Sequence, residues 1–413
     1  MIGRLNIAIV GYGTAGQALA VLLGRDGHAV EVFERASAPG PVGAGFLLQP
    51  TGLQVLWQMG LLPMALAHGA PVDRLYGETP TGRAVMDMRY AGLDARLHGL
   101  GMQRGALFTL LAEAWDGIDG LRHGTCVEQV EAETGRLLDA EGRRHGPYDL
   151  VIAADGSASR LRSQVSTARV DRLYPWGALW CLVPRGEWPW PAELRQRYVA
   201  ARKMIGMLPV GTRPGDATPR LSFFWSLPRS DFDAWRSRGL ASWRDEVLGI
   251  WPQLAAQLGH IAEPSQLAHA SYRDASQRQW HRGRLVLAGD AAHSMSPQLG
   301  QGVNMALMDA MALRDALRDE SSVGAALASY QRVRRRHVAI YHFWSHWLTP
   351  LFQSEHDTVA RIRDASFLPL GRLPGGRGHM LRILSGTQQG WLGKHALQPG
   401  FIAALAGYRA SRE

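Results

Sequence analysis

The sequence predicts an α/β protein: a Rossmann-like domain interrupted by an inserted mixed β-sheet and followed by C-terminal helices. Three observations predict it. The chain opens with a strand, Gly-rich turn, helix and strand in succession; two later apolar strands each end in an acid beside a glycine; and the stretch between those two carries long, aromatic-rich strand patterns. With 413 residues, 46% of them hydrophobic and 20% charged, the chain has the composition of a globular protein and length for two or three structural units.

In the opening unit, Leu5 to Val10 is an apolar run of strand length with β-branched Ile7, Ile9 and Val10. Gly11-Tyr12-Gly13-Thr14-Ala15-Gly16 follows, then an apolar helical stretch from Gln17 to Leu23 and a strand from Ala29 to Phe33 that ends at Glu34. A GxGxxG in this setting has a mechanical meaning. Gly11 permits the tight turn, Gly13 lets backbone approach a pyrophosphate, and Gly16 lets helix and strand pack closely. The helix N-terminus offers unpaired N–H groups and positive partial charge to phosphates. Glu34 lies 18 residues past Gly16, where a carboxylate accepts both hydroxyls of an adenosine ribose. The same glycines interrupt what otherwise reads as the apolar core of a signal peptide. The unit predicts dinucleotide binding and leaves NAD and FAD both open.

The next strand, Tyr148 to Ala154, ends in Asp155-Gly156-Ser157-Ala158-Ser159-Arg160. By itself this is a turn signal. A third strand, Leu285 to Ala288, runs into "GDAAHSMSPQLGQGVNMALMDA" at 289–310, which carries an acid, a Pro and two close glycines before a helix. Arg104 stands at the start of the helix-like "GMQRGALFTLLAEAW"; alone, such an Arg belongs to the surface. Between Asp155 and Gly289 three strand-like runs appear at 177–186, 201–211 and 220–228, followed by helical stretches around 230–239 and 241–258. Alternation puts Trp180 and Leu182 on one face of the first run, and Phe223 and Trp225 on one face of the third. The tail, 346–413, holds amphipathic helical stretches whose default is to dock on the first domain.

Taken in order, "GYGTAG…FER", "AADGSASRLR" and the 289–310 stretch resemble the class A flavoprotein monooxygenases, the aromatic hydroxylases related to p-hydroxybenzoate hydroxylase, from about residue 5 to about residue 345. The resemblance implies FAD as the bound dinucleotide. Gly11, Gly13, Thr14, Ala15 and Gly16 would meet its pyrophosphate, with Glu34 and Arg35 at the adenosine ribose and Val127 giving a backbone contact to adenine. Gly43 and Gly45 would lie on a loop along the ribityl and flavin region, and Arg104 on the ribityl-phosphate side. Asp155 would serve both FAD and NAD(P)H, and Gly289-Asp290 the ribityl chain. Pro297, Gly300, Gly302, Val303 and Asn304 would border the ring, Pro297 and Gly300 where oxygen and substrate meet, with no base assigned and His293 taken as structural. A helix N-terminus aimed at the pyrimidine edge stabilises negative charge on the reduced ring.

The resemblance further implies an FAD domain in three parts (1–72, 100–172, 274–345), substrate-domain segments at 73–99 and 173–273, and the helical tail. The pocket would be walled by Trp180, Leu182, Phe223 and Trp225. The expected reaction consumes NAD(P)H and O2 and hydroxylates a phenolic or amino-aromatic molecule through a flavin C4a-hydroperoxide. No second GxGxxG appears, so NAD(P)H is expected to bind transiently.

The +9 formal charge, carried almost wholly by Arg since the only lysines are Lys203 and Lys394, favours anionic partners. No nucleic-acid motif accompanies it, and the Arg332, Arg334, Arg335, Arg336 cluster reads as a solvated helix face. Cys126 and Cys181 lack metal or CxxC spacing, and no metal site is expected. With no apolar run long enough to span a bilayer, a cytoplasmic monomer or homodimer is expected. Competing readings are a flavin-dependent halogenase, an FAD-dependent reductase and a non-catalytic FAD binder. Halogenases resemble one another in a WxWxIP motif and a catalytic Lys; here Trp188-Pro189-Trp190-Pro191 departs from it and lysines are scarce.

Overall fold

A computed structural model describes residues 2–41, 43–373 and 375–410. Its organising element is a six-stranded sheet in which Leu285–Leu287, Leu150–Ala153, Asn6–Val10 and Ala29–Glu34 lie side by side and parallel. These strands read as unbroken apolar runs because helices cover them: Ile7, Ile9, Leu150, Ile152, Leu285 and Leu287 are fully buried. Parallel strands carry all their carboxyl ends to one edge. Gly11, Glu34, Asp155 and Gly289-Asp290, far apart in sequence, therefore emerge next to one another.

The inserted sheet has seven strands, in the order Ala268–Gln277, Ala168–Pro184, Asp216–Pro228, Lys203–Arg213, Glu193–Val199, Arg74–Glu78 and Ala84–Arg89. Two of these, Glu193–Val199 and Ala268–Gln277, were not foreseen from the sequence: both are rich in charged and polar residues, which hides the period-two pattern. Two adjacent strands, Ala168–Pro184 and Ala268–Gln277, also extend past the expected limits of 173 and 273. A helix at Phe232–Ile250, broken at Gly239 where φ is +81°, covers one face of the sheet. Beneath it lies a separate apolar core with Leu179, Cys181, Phe223, Trp225, Trp235 and Trp243. The other face joins the large core of the first domain, through Trp180, Leu182 and Phe224.

The expected domain limit at 345/346 falls inside one helix, Val323–Phe352, whose buried stripe runs on through Tyr341, Ser345 and Leu348. Beyond it the tail folds back onto the first domain. Phe401 and Leu405 of the last helix, Pro399–Ala410, are fully buried, Phe401 against Trp57. Among the described residues no helix is long and apolar enough to cross a membrane.

Candidate active site

Two helices open toward the strand-end crevice with uncapped N-termini. Thr14–Arg25 begins at Gly13 and Gly302–Asp319 begins at Gln301, and neither has a side-chain cap. Their first N–H groups are unsatisfied, and each end carries about half a positive charge. The glycines around them fall into two kinds. A Cβ on Gly11 would stand 2.4 Å from the Ala154 carbonyl oxygen, and one on Gly16 1.9 Å from that of Gly11, so these two pack turn on strand and helix on turn. Gly13, Gly156 and Gly300 face open space within 4 Å, and Gly302 meets only the Asp290 carboxylate, at 3.9 Å. Those four leave a cradle that the protein does not fill.

The three acid turns touch one another. Gly289 (φ +59°) places its Cα beside Ala15 of the first helix, and Gly11 lies against Ala154-Asp155. Arg162, 3% exposed, donates to the carbonyls of Gly156, Ser157 and Asp290 at 3.0, 2.6 and 3.3 Å, so it clamps the second acid turn to the third. Asp290 opens into the crevice, yet the protein so surrounds it that burial raises its carboxyl above the ordinary range, with His293, Arg104 and Arg162 opposing. Asp155 is likewise raised by burial, and its Oδ1 has no hydrogen-bond partner. The Asp290 carboxylate and one Asp155 oxygen thus lack donors from the described residues. A polyol hydroxyl chain supplies them, so the residues present fit FAD.

Glu34 accepts from the N–H groups of Tyr12 (2.8 Å) and Ala36 (2.9 Å), which orients its carboxylate at the strand end. The Thr125 N–H donates to the Glu34 carbonyl at 2.9 Å and brings Val127 to this end of the crevice. Exposed Arg35 follows Glu34. At the other end Arg104 opens into the crevice, and burial lowers its pKa against the attraction of Asp290 and Tyr272. Gly43 (φ +94°) passes directly over it, with a would-be Cβ 3.0 Å from Arg104 Cδ. Gly45 has a different reason to be glycine: a Cβ would collide with Val210 and Ser222 of the inserted sheet, and its N–H donates to Ser222 Oγ.

Pro297 begins a single 3-10 turn ending at Gly300, in the left-handed region at φ +60°. Ser296 Oγ anchors this loop to Ser345 (2.8 Å) and Thr349 (2.7 Å). The Asn304 side chain is consumed by the protein, since it donates to the Leu47 and Gly300 carbonyls and accepts from the Gln49 N–H. The Asn304 side chain is therefore not free for a cofactor, and its backbone is. Behind the loop, Asp309 (0% exposed) accepts from the Gly289 N–H at 2.7 Å and from Arg334 at 2.6 Å, and pairs with His293 at 2.6 Å. His293 is thus part of the scaffold. Arg334 is 2% exposed, which corrects the solvated-face reading at that one position, while Arg332 and Arg336 are exposed.

The sheet above the crevice separates the four expected pocket residues. Register pairs Trp180 with Phe224, Cys181 with Phe223 and Leu179 with Trp225, so Trp180 and Leu182 share a face with Phe224 and not with Phe223. Phe223 and Trp225 belong to the core under the helix, packed edge-on against Trp243 at 5.8 and 6.4 Å. Alternation within each strand was legible; the phase between two strands was not. On the crevice side Trp180 stacks near Phe224 (5.0 Å) and donates to Tyr272 Oη at 2.9 Å. Burial pushes the Tyr272 phenol up to about 12. Lys203 lies on the opposite face, paired with Glu246 and over Trp225, away from the crevice.

Sheet, cradle and acid turns define an FAD-dependent flavoprotein monooxygenase fold. The chain belongs to the FAD binding domain family, whose model matches residues 4–341. It is 29% identical over 349 residues to the FAD-dependent urate hydroxylase of Klebsiella oxytoca, covering 80% of this chain and 86% of that one. It is also 29% identical over 394 residues to kynurenine 3-monooxygenase of Salinispora arenicola, at 90% and 84% coverage. The crystal structure of P. aeruginosa PqsL in complex with 2-aminobenzoylacetate superposes with a TM-score of 0.74 at 26% identity, covering 89% of this chain and 100% of that one.

Arg162 was absent from the expected site, although it closes the quoted "AADGSASRLR". Its three carbonyl bonds imply that Arg162→Leu keeps the fold but weakens FAD binding about tenfold or more, since hydrogen bonds to charged donors contribute roughly 1.5–3 kcal/mol each. Flavin retained after dialysis, measured against protein, checks it.

Proposed function

We propose that the chain is an NAD(P)H- and O2-using hydroxylase of a planar aromatic or heteroaromatic small molecule. The observation that carries the reading is that Arg104 interacts with Asp290 of the FAD cradle and also with Tyr272, whose hydroxyl accepts from Trp180 on the aromatic face. Bound FAD supplies the two-electron chemistry and the activation of oxygen. The protein's part is placement and charge. Asp290 holds the ribityl chain, and Gly13, Thr14, Ala15 and Gly156 leave room for the pyrophosphate. The uncapped N-terminus of Gly302–Asp319 would offer N–H groups and positive potential to the bound cofactor and stabilise negative charge there. Pro297 and Gly300 border the space where substrate meets the ring. Trp180 and Phe224 exclude water and hold a flat substrate by stacking. The Tyr272 hydroxyl, neutral at physiological pH, offers a donor toward that space. Hydroxylation of substrates named for relatives, such as urate and kynurenine, motivates the aromatic class here.

The two free cysteines fit a reducing cytoplasm, and a monomer or homodimer is the expected state. The test is NADPH or NADH oxidation by the yellow protein across a panel of phenols, aryl amines and N-heterocycles, with product mass analysis. A substrate-stimulated rate with a mass gain of one oxygen atom supports the reading. Stimulation by no compound, with no oxygenated product, overturns it.

The two sheet faces make a paired prediction. Trp180→Ala raises substrate KM on the order of tenfold, the scale of a lost aromatic pair. Trp225→Ala leaves KM unchanged and instead lowers stability by about 3–5 kcal/mol, as for other large-to-small core changes. Steady-state kinetics and thermal melts of both variants distinguish the faces.

A further inference from the structure

A second cavity of about 490 Å³ lies between the strand Ala268–Gln277 and the helix Val323–Phe352. Its wall meets the scaffold of the flavin crevice at His293, the partner of Asp309. Its wall carries Arg332, Arg335 and Arg336, on one side of the helix, and Arg169 from the neighbouring strand. No ion pair engages any of these four among the described residues, though Arg332 reaches Ser329 Oγ at 3.0 Å. Four guanidinium groups thus converge on one cavity without a counter-charge, and Arg335 and Arg169 repel each other there. No acid lines the cavity among the described residues, and Asp274, on the strand Ala268–Gln277, pairs with Arg172 and His342.

Gln277 lines the same cavity and is 2% exposed, yet neither its Oε1 nor its Nε2 has a hydrogen-bond partner. A buried amide with both functions unmatched is rare in folded proteins, and each such case asks for an explanation. Here the explanation has a definite shape. The arginines match more than one anionic charge, best met by phosphate through planar, forked donors. The amide, with one donor and one acceptor side by side, matches a donor–acceptor pair such as the N6 amino group and N7 of adenine. An inorganic anion answers the arginines and leaves the amide unpaired. The volume lies within the roughly 300–1,000 Å³ of small-molecule sites.

We infer that this cavity binds an adenine nucleotide, its phosphates among Arg169, Arg332, Arg335 and Arg336 and its base edge on the Gln277 amide. The ligand is either a free nucleotide or the adenylate half of a pyridine dinucleotide. Binding is read without turnover, so the inference stands or falls apart from the hydroxylase reading.

The experiment is calorimetric titration of the flavin-loaded protein with ADP, and separately with inorganic phosphate. ADP binds more tightly than phosphate in the wild type. An Arg335→Gln/Arg336→Gln double variant weakens ADP at least tenfold while its flavin spectrum is unchanged. Gln277→Leu weakens ADP but leaves phosphate affinity as it was, which separates base recognition from charge. Displacement of ADP by NADPH assigns the site to the reducing dinucleotide, and failure to displace it assigns the site to a free nucleotide; both support the inference. No ADP binding at millimolar concentration overturns it, as does ADP affinity equal to that of phosphate or unaltered in Gln277→Leu. Arginine-dependent binding to phosphatidylserine vesicles without ADP binding also overturns it, and makes the arginines a membrane-facing surface.

Discussion

Asp290→Ala is expected to fold and to purify nearly colourless, with FAD affinity reduced by a factor of about 10² to 10³. The carboxylate stands at the carboxyl end of Leu285–Leu287 and opens into the crevice, and its side chain makes no hydrogen bond to the described residues. Its removal therefore costs the protein no internal bond. Burial without donors raises its carboxyl, so the site is tuned for hydroxyl groups that arrive with the cofactor. Two bonds to an ionised acceptor, each near the lower end of roughly 1.5–3 kcal/mol, account for the factor. Asp290→Asn, which keeps the shape and one acceptor, falls between. Visible flavin absorbance per protein after gel filtration, with far-ultraviolet circular dichroism as the check on folding, measures it. Full flavin content in Asp290→Ala would remove Asp290 from the site.

Legibility in the sequence followed the range of each signal. The crevice was legible because its signals are local: a strand ending in a carboxylate at Glu34, and a strand, a glycine and a carboxylate within a few residues at Asp155 and Asp290. Their convergence then follows from parallel strands, a rule of topology and not of any side chain. Phe223 and Trp225 were misplaced because register between the strands 168–184 and 216–228 decides which face a residue joins, and a shift of one residue exchanges the faces. Arg334 was misread for a similar reason. Four arginines in five positions look solvated, but a helix turns 100° per residue. Position 334 therefore points at Asp309 while 332, 335 and 336 face the second cavity. Asp309 itself, in "NMALMDA", was indistinguishable from a surface acid until the helix had a buried side.

Asp309→Ala is the other large effect expected, and it acts on stability first and FAD second. The substitution takes the acceptor from the Gly289 N–H, leaves Arg334 buried without its counter-charge and deprives the His293 ring of its partner. Breaking a buried pair in this way costs about 3–5 kcal/mol. The melting temperature should fall by roughly 5 °C or more. Gly289, released from its anchor, then holds its φ of +59° less firmly, so Asp290 and the flavin loosen with it. The damage reaches the tail as well, because Arg334 also donates to His337, which bonds the Gly386 carbonyl at 3.0 Å. The pH dependence carries a definite sign. Burial alone would raise the Asp309 carboxyl, but His293 and Arg334 outweigh it and hold the carboxyl far below the ordinary range. A depressed carboxyl contributes stability that is complete above its unfolded value of about 4 and is lost as pH falls through the folded one. The wild type accordingly loses stability steeply below about pH 4. Asp309→Asn, with no carboxylate to protonate, starts from a lower melting temperature and declines less over the same range. Melts between neutral pH and pH 3 test both slopes, and parallel curves for the two proteins would mean that Asp309 does not carry the acid sensitivity of the fold.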